Sequence, residues 1–175
     1  MRAVLGFWMV PVLLGGCAAA PTTAPPPASL LSSSWTGEIK VRFTGCTSCA
    51  DCRAAIRQIS QAQSGSDHVE FHAGVARITY PTPATLKASE VANALSHPGV
   101  IKGEVDQVEL TVEGLVEQGA QGRIFTVPAT GQRWRIAEGS VDLPLGKPVV
   151  VVAALEGWKG SADTQTLRIL SVETP

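Results

Sequence analysis

Between Glu38 and Thr44 apolar and polar residues alternate, with Ile39, Val41 and Phe43 on one side, and this two-residue period predicts a half-buried strand. The period then lengthens. Cys52, Ile56 and Ile59 recur at helical spacing, Thr47 or Ser48 is placed to cap the helix start, and Ser64 to Asp67 (Ser-Gly-Ser-Asp) breaks the helix. Val69 and Phe71 alternate again as a second strand. Ala73-Gly74 turns the chain, and Val75, Ile78 and Tyr80 fit a third strand that Pro81 and Pro83 end. Leu86, Val91 and Leu95 lay an apolar stripe along a second helix stopping at Pro98-Gly99, and Val100 to Val105 fits a fourth strand.

From Val108 onward no helical period of adequate length recurs. Val108, Leu110, Val112 and Leu115 open a series of short β-rich runs, followed by Arg123 to Val127, Gln132 to Ile136, Val149 to Leu155 and Leu167 to Val172, with glycines punctuating the turns. Five strands in about 65 residues predict a small closed barrel. The long first strand and the Lys-Pro before Val149 resemble an OB-type barrel. Trp134 is expected in its core and Trp158 at its rim, and the domain reads as a rigid module for docking or spacing.

The amino terminus has a different character. Arg2 precedes an apolar stretch from Ala3 to Leu14, too short to span a bilayer, and Leu14-Gly15-Gly16-Cys17 follows. These residues resemble a bacterial lipoprotein signal with its lipobox. The resemblance implies cleavage before Cys17, lipidation of Cys17, and anchorage in the cell envelope. Ala18 lacks the acidic character that marks inner-membrane retention in that family, so the resemblance further implies the periplasmic face of the outer membrane. Residues 17–34 are rich in Ala, Pro, Thr and Ser and predict a semi-extended tether. The expected organisation is therefore a signal over 1–16, a tether over 17–34, an α+β domain over 35–106 and a β-barrel domain over 107–175.

Without the leader, thirteen basic residues stand against fifteen acidic ones with no long charge run, which argues against nucleic acid as a partner. No catalytic constellation is visible: the carboxylates are scattered, no serine has a histidine and an acid at a recognisable spacing, and no glycine-rich phosphate loop occurs. The chain does not read as an enzyme.

Chemistry concentrates in Gly45-Cys46-Thr47-Ser48-Cys49-Ala50-Asp51-Cys52, where two overlapping Cys-x-x-Cys pairs gather three sulfurs between the first strand and the first helix. That spacing suits a soft metal ion, a dithiol/disulfide couple, or a static disulfide in an oxidising compartment. A helix amino terminus favours the thiolate form that metal binding requires. With Cys17 taken up by lipid, three cysteines remain available, and an odd number cannot all pair within the chain.

With thiols in the first strand-to-helix connection, the order strand, helix, strand, strand, helix, strand from about Gly37 to Val105 resembles the heavy-metal-associated domain of copper chaperones, metal-pumping ATPases and periplasmic mercury-binding proteins. Ile56, four residues after Cys52, and Tyr80-Pro81-Thr82-Pro83 followed by Val91 to Leu95 extend the likeness. It implies a ferredoxin-like βαββαβ sandwich ahead of the OB-like barrel, with Cu(I) or Hg(II) bound by Cys49 and Cys52 and exchanged with a metal donor or acceptor protein. The chain departs from the family at Cys46, which stands where the family has methionine, with one residue inserted. Cys46 is thus either a third thiolate or a small buried residue. In such a sandwich His72, beside the turn after the second strand, and His97, after the second helix, share the thiol end. Each is either an auxiliary ligand or proton donor, or an exposed turn residue. His68 lies at the opposite end.

Overall fold

The computed structural model describes Trp35 and residues 37–45, 50–97 and 103–173. Strand β1 (Gly37–Gly45) is followed by helix α1 (Ala50–Ser64), strands β2 (Val69–His72) and β3 (Val75–Tyr80), and helix α2 (Ala88–Leu95). Strand β4 (Gly103–Gly119) then leads into β5 (Gly122–Val127), β6 (Gln132–Ile136), β7 (Pro148–Glu156), a 3₁₀ turn over Ala162–Thr164, and β8 (Thr166–Glu173).

Local chemistry sets these boundaries. Helix α1 stops at Gly65, whose φ of 71° suits a residue without a side chain, and the Gly65 N–H donates to the Gln61 carbonyl at 3.0 Å. Beyond it, the Ser66 N–H donates to Ser64 Oγ (3.1 Å) and Ser66 Oγ donates to the Thr79 carbonyl (2.8 Å), which ties the helix end to β3. Ala73 and Gly74 both take positive φ, 47° and 76°, as the two-residue hairpin joining β2 to β3 demands of its central pair.

The elements fall near the positions that periodicity predicts, but the expected ferredoxin-like βαββαβ sandwich followed by a separate OB-like barrel is not the architecture. The chain is mostly β. The eight strands of the described residues join one sheet in the order β2-β3-β1-β4-β5-β6-β8-β7, and pairing of β4 with β7 closes five of them into a barrel. The two helices pack together on the N-terminal strands.

The physical reason lies in β4. The runs expected as a fourth strand ending at Val105 and a fifth starting at Val108 are one strand of 17 residues, and the expected boundary at 106/107 falls inside it. Opposite Arg42 and Phe43 the register slips by one residue, so Gln107 pairs with Arg42 and Val105 with Phe43. This bulge lets both Val105 and Val108 face the core with two residues between them, and the broken alternation resembles a strand end. Past the bulge, β1 lines one edge of β4 up to Val112, β5 takes over that edge from Leu115, and β7 lines the opposite edge from Glu109 to Leu115. A four-stranded sandwich would leave that second edge to solvent; here β7 covers it.

One core runs through the molecule because β4 presents the same side chains to both parts. Leu110 pairs with Ile39 of β1 and with Ala153 of β7, and all three are completely buried. Around it lie Val41, Ile56, Ile78 and Val91 toward the helices, and Phe125, Trp134, Val151 and Leu167 in the barrel. Gly114 makes the tight coiling of β4 onto β5 possible. A Cβ there would stand 2.5 Å from the Thr126 carbonyl oxygen and 2.6 Å from the Phe125 ring. Two amide side chains fasten the α2 region to the barrel. Gln132 accepts from the Leu86 N–H (2.6 Å) and donates to the Leu86 carbonyl (3.0 Å), and Asn93 Nδ2 donates to the Trp158 carbonyl (3.2 Å). Trp134 and Trp158 are both buried.

Strand alternation turns Glu113 away from the barrel interior, yet it is only 7 % exposed, and burial raises its carboxyl pKa above the ordinary value. The folded protein therefore holds this proton to higher pH than the unfolded chain does. Stability is lost as pH rises from the ordinary carboxylate range through the raised value. Glu113→Gln is expected to raise the melting temperature at pH 7, with the advantage fading once the pH drops below about 4, where the unfolded carboxyl is itself protonated. Paired thermal melts at the two pH values check this, and a variant that melts lower at pH 7 would contradict it.

Candidate functional site

Cys52 is the third residue of α1, in the helix's first turn, and it is partly exposed. It heads the stripe that continues through Ile56 and Ser60, both completely buried, so it occupies the inward side of the helix where the core gives way to solvent. Four residues, 46–49, separate Gly45 at the end of β1 from Ala50 at the start of α1. Cys46 and Cys49 are among them and lie outside the described residues, as do Cys17, the leader and the tether.

The surrounding register fixes what else converges at this end of the sheet. Gly45 pairs with Gly103 at the start of β4, and a Cβ on Gly103 would fall against the Thr44 carbonyl oxygen, so the two backbones approach as closely as glycine allows. The Phe43 N–H donates to the Gly74 carbonyl at 2.8 Å, which brings the β2–β3 turn to the same end. Helix α2 ends there too. His97 follows it by two residues, is exposed, and donates its backbone N–H to the Ala94 carbonyl (3.4 Å).

The two histidines then part company. His97 belongs to the helical layer, on the side of the sheet that carries α1. His72 alternates with the inward-facing Phe71 and lies on the opposite, uncovered face, where it lines a cavity with Arg42, Glu70 and Arg77. Both residues are at the thiol end, but the sheet stands between His72 and the helix that bears Cys52. His68 opens onto the far end, beside Thr79.

No family model, curated protein or solved structure matches the chain.

The heavy-metal-associated likeness accordingly stands on the residues that carry it. Among the described residues no group of three or more His, Cys, Asp or Glu is assembled to hold a metal ion, and two of the three thiols in question lie outside them. The chemistry of the donor set fits a soft ion: thiolate sulfurs select such ions over hard ones, and a helix start favours the ionised thiol. No helix among the described residues is long and apolar enough to cross a membrane.

Sequence reading passed over the uncovered face of the sheet. Its signal was in the same alternation that marked the core, since Glu38, Lys40 and Arg42 fill the positions between Ile39, Val41 and Phe43. Their convergence with Arg77, Glu70 and Glu109 depends on strand order and register.

Proposed function

We propose that the chain is a lipid-anchored protein of the cell envelope that binds a soft, thiophilic ion through Cys49 and Cys52, for transfer, scavenging or sensing. The observation that carries this reading is the position of Cys52. It sits in the first turn of a helix at the sheet end where β1, the β2–β3 turn, α2 and the start of β4 converge, and Cys49 immediately precedes that helix. A thiol there is reachable from solvent and stands where backbone N–H groups favour its anion. Two thiolates suffice for a Cu(I) or Hg(II) ion and leave a side open for ligand exchange with a donor or acceptor protein. Cys46 is close enough in sequence to add a third sulfur, and His97 lies on the same layer as Cys52. Cys17 carries the anchor, and the periplasmic face of the outer membrane is the favoured location.

The test is an anaerobic titration of the reduced protein with Cu(I) and with Hg(II), following thiolate-to-metal absorption. Saturation at one ion per chain is expected, with protons released on binding and affinity falling as the pH is lowered. Rapid thiol exchange at an oxidising potential without metal retention would mark a redox couple instead. Resistance to reduction, with a lower melting temperature once the bridge is broken, would mark a structural disulfide.

A further inference from the structure

We infer that the uncovered face of the N-terminal sheet carries a second binding site, for a small phosphate-bearing ligand. The site is independent of the thiols. Strands β2, β3, β1 and β4 turn Ile39, Val41, Ala76 and Ile78 toward the helices and leave the other face bare. On that face a cavity of about 500 Å³ is lined by Lys40, Arg42, Glu70, His72, Arg77 and Glu109 among others. Its size falls within the range of small-molecule sites.

The register arranges these groups in rows. Glu70, Arg77, Lys40 and Glu109 pair successively across β2, β3, β1 and β4, and the next row runs His72, Val75, Arg42, Gln107. Lys40 and Arg77 are therefore directly opposite one another, an arrangement of like charges that costs stability unless an anion lies between them. One anion is supplied by the protein: Glu38, with 18 % of its side chain exposed, meets Lys40 Nζ at 3.1 Å with one oxygen and Arg77 Nε at 3.3 Å with the other.

Each cation has a carboxylate partner, Lys40 and Arg77 sharing Glu38 and Arg42 approaching Glu109, yet both guanidinium groups keep donors beyond those pairs. Arg77 meets Glu38 through Nε, so its terminal nitrogens point their donors elsewhere. The nearest approach of Arg42 to Glu109 is 3.9 Å, beyond hydrogen-bond distance, and both arginine side chains are more than half exposed. The His72 side chain has no hydrogen-bond or ion-pair partner among the described residues. Two guanidinium forks and an ammonium around one concavity suit the tetrahedral oxygens of a phosphate group, which arginine binds through paired N–H donors. The flanking carboxylates narrow the class. Glu70 and Glu109 repel a polyanion and accept hydrogen bonds, so the rest of the ligand carries donors such as hydroxyl groups. A glycerol phosphate moiety has this chemistry, whether as a soluble ester or as the headgroup of phosphatidylglycerol.

The experiment follows thermal unfolding of the full chain at constant ionic strength. In neutral detergent the probes are glycerol 3-phosphate and inorganic phosphate, with sodium chloride as the control. In vesicles, phosphatidylglycerol mixed into phosphatidylcholine is compared with phosphatidylcholine alone. A ligand that binds the folded state raises the melting temperature with its concentration. Glycerol 3-phosphate is expected to do so saturably. Arg42→Gln and Arg77→Gln should each move the half-saturating concentration up by about tenfold, as loss of a charge-assisted pair does. Arg135→Gln, on β6, should leave it unchanged. Glu70→Gln removes a like charge and should move the concentration down, a change of sign that no folding defect imitates. A response confined to phosphatidylglycerol vesicles, with the same arginine dependence, assigns the site to the lipid headgroup. The inference falls if neither glycerol 3-phosphate nor phosphatidylglycerol raises the melting temperature beyond its control, or if the rise persists in the Arg42→Gln/Arg77→Gln double variant.

Discussion

Replacing Cys52 by Ala should abolish stoichiometric Cu(I) and Hg(II) binding while leaving the fold intact. The loss should exceed the roughly 100-fold that removal of an outer-shell partner costs a metal site, because a ligand itself is deleted. The substitution is mild for the structure. Cys52 is partly exposed, one turn outside the completely buried Ile56, so replacing its thiol by hydrogen opens no cavity in the core. Cys49→Ala is expected to match it in metal affinity. Cys46→Ala divides the two roles open to that residue: a drop comparable to the other two makes it a third ligand, whereas retained binding with a lower melting temperature makes it a buried core residue. Absorption titration and thermal melts on the same three variants read both quantities. If all three keep wild-type affinity, the thiols are not the metal site. That result would leave the phosphate site untouched, since its residues lie on the other side of the sheet.

Much of the molecule was legible wherever one period held without interruption. Ile39, Val41 and Phe43 gave a strand, and Cys52, Ile56 and Ile59 gave a helix, because burial of a single face imposes periods of 2 and 3.6 on the residues that face it. The reading failed where the period slipped. At Val105-Asp106-Gln107-Val108 a one-residue bulge displaced the alternation, so one strand looked like two, and the fold was read as a sandwich followed by a barrel in place of one continuous sheet. Such a bulge is set by pairing with β1, some 60 residues earlier, and nothing local announces it. The phosphate site was hidden for a related reason. Lys40, Arg42 and Arg77 look like ordinary solvent-side charges until β1 and β3 are aligned, and only then does their mutual proximity across the sheet emerge. Cys52 belongs to the opposite case. Its place at a helix start follows from short-range pattern alone, so the thiol motif could be located without knowing the topology.

Leu110→Ala should destabilise the whole folded chain in one step, by about 3 kcal/mol, within the range for truncating a fully buried leucine. For a domain of this size that corresponds to a fall in melting temperature on the order of 10 °C. Leu110 is completely buried, and its neighbours Ile39 and Ala153 come from the two strands that flank β4, one carrying the helical layer and one closing the barrel. A cavity at this point removes contacts from both parts together. Gln132 to Leu86 and Asn93 to Trp158 bind the parts further, so neither has an independent reason to survive the other. Far-UV circular dichroism follows helices α1 and α2, and in a background with Trp8 and Trp35 replaced by Phe, fluorescence follows Trp134 and Trp158 in the barrel. The two signals should shift by the same amount and remain coincident. Separate transitions, with the barrel signal holding its wild-type midpoint while the helical signal falls, would mean that β4 joins two units that fold apart. The thiol end and the barrel would then be mechanically independent, and metal binding at Cys52 would stabilise the helical signal alone. With one cooperative unit, a bound ion raises both midpoints equally, because whatever binds the native state stabilises everything that unfolds with it.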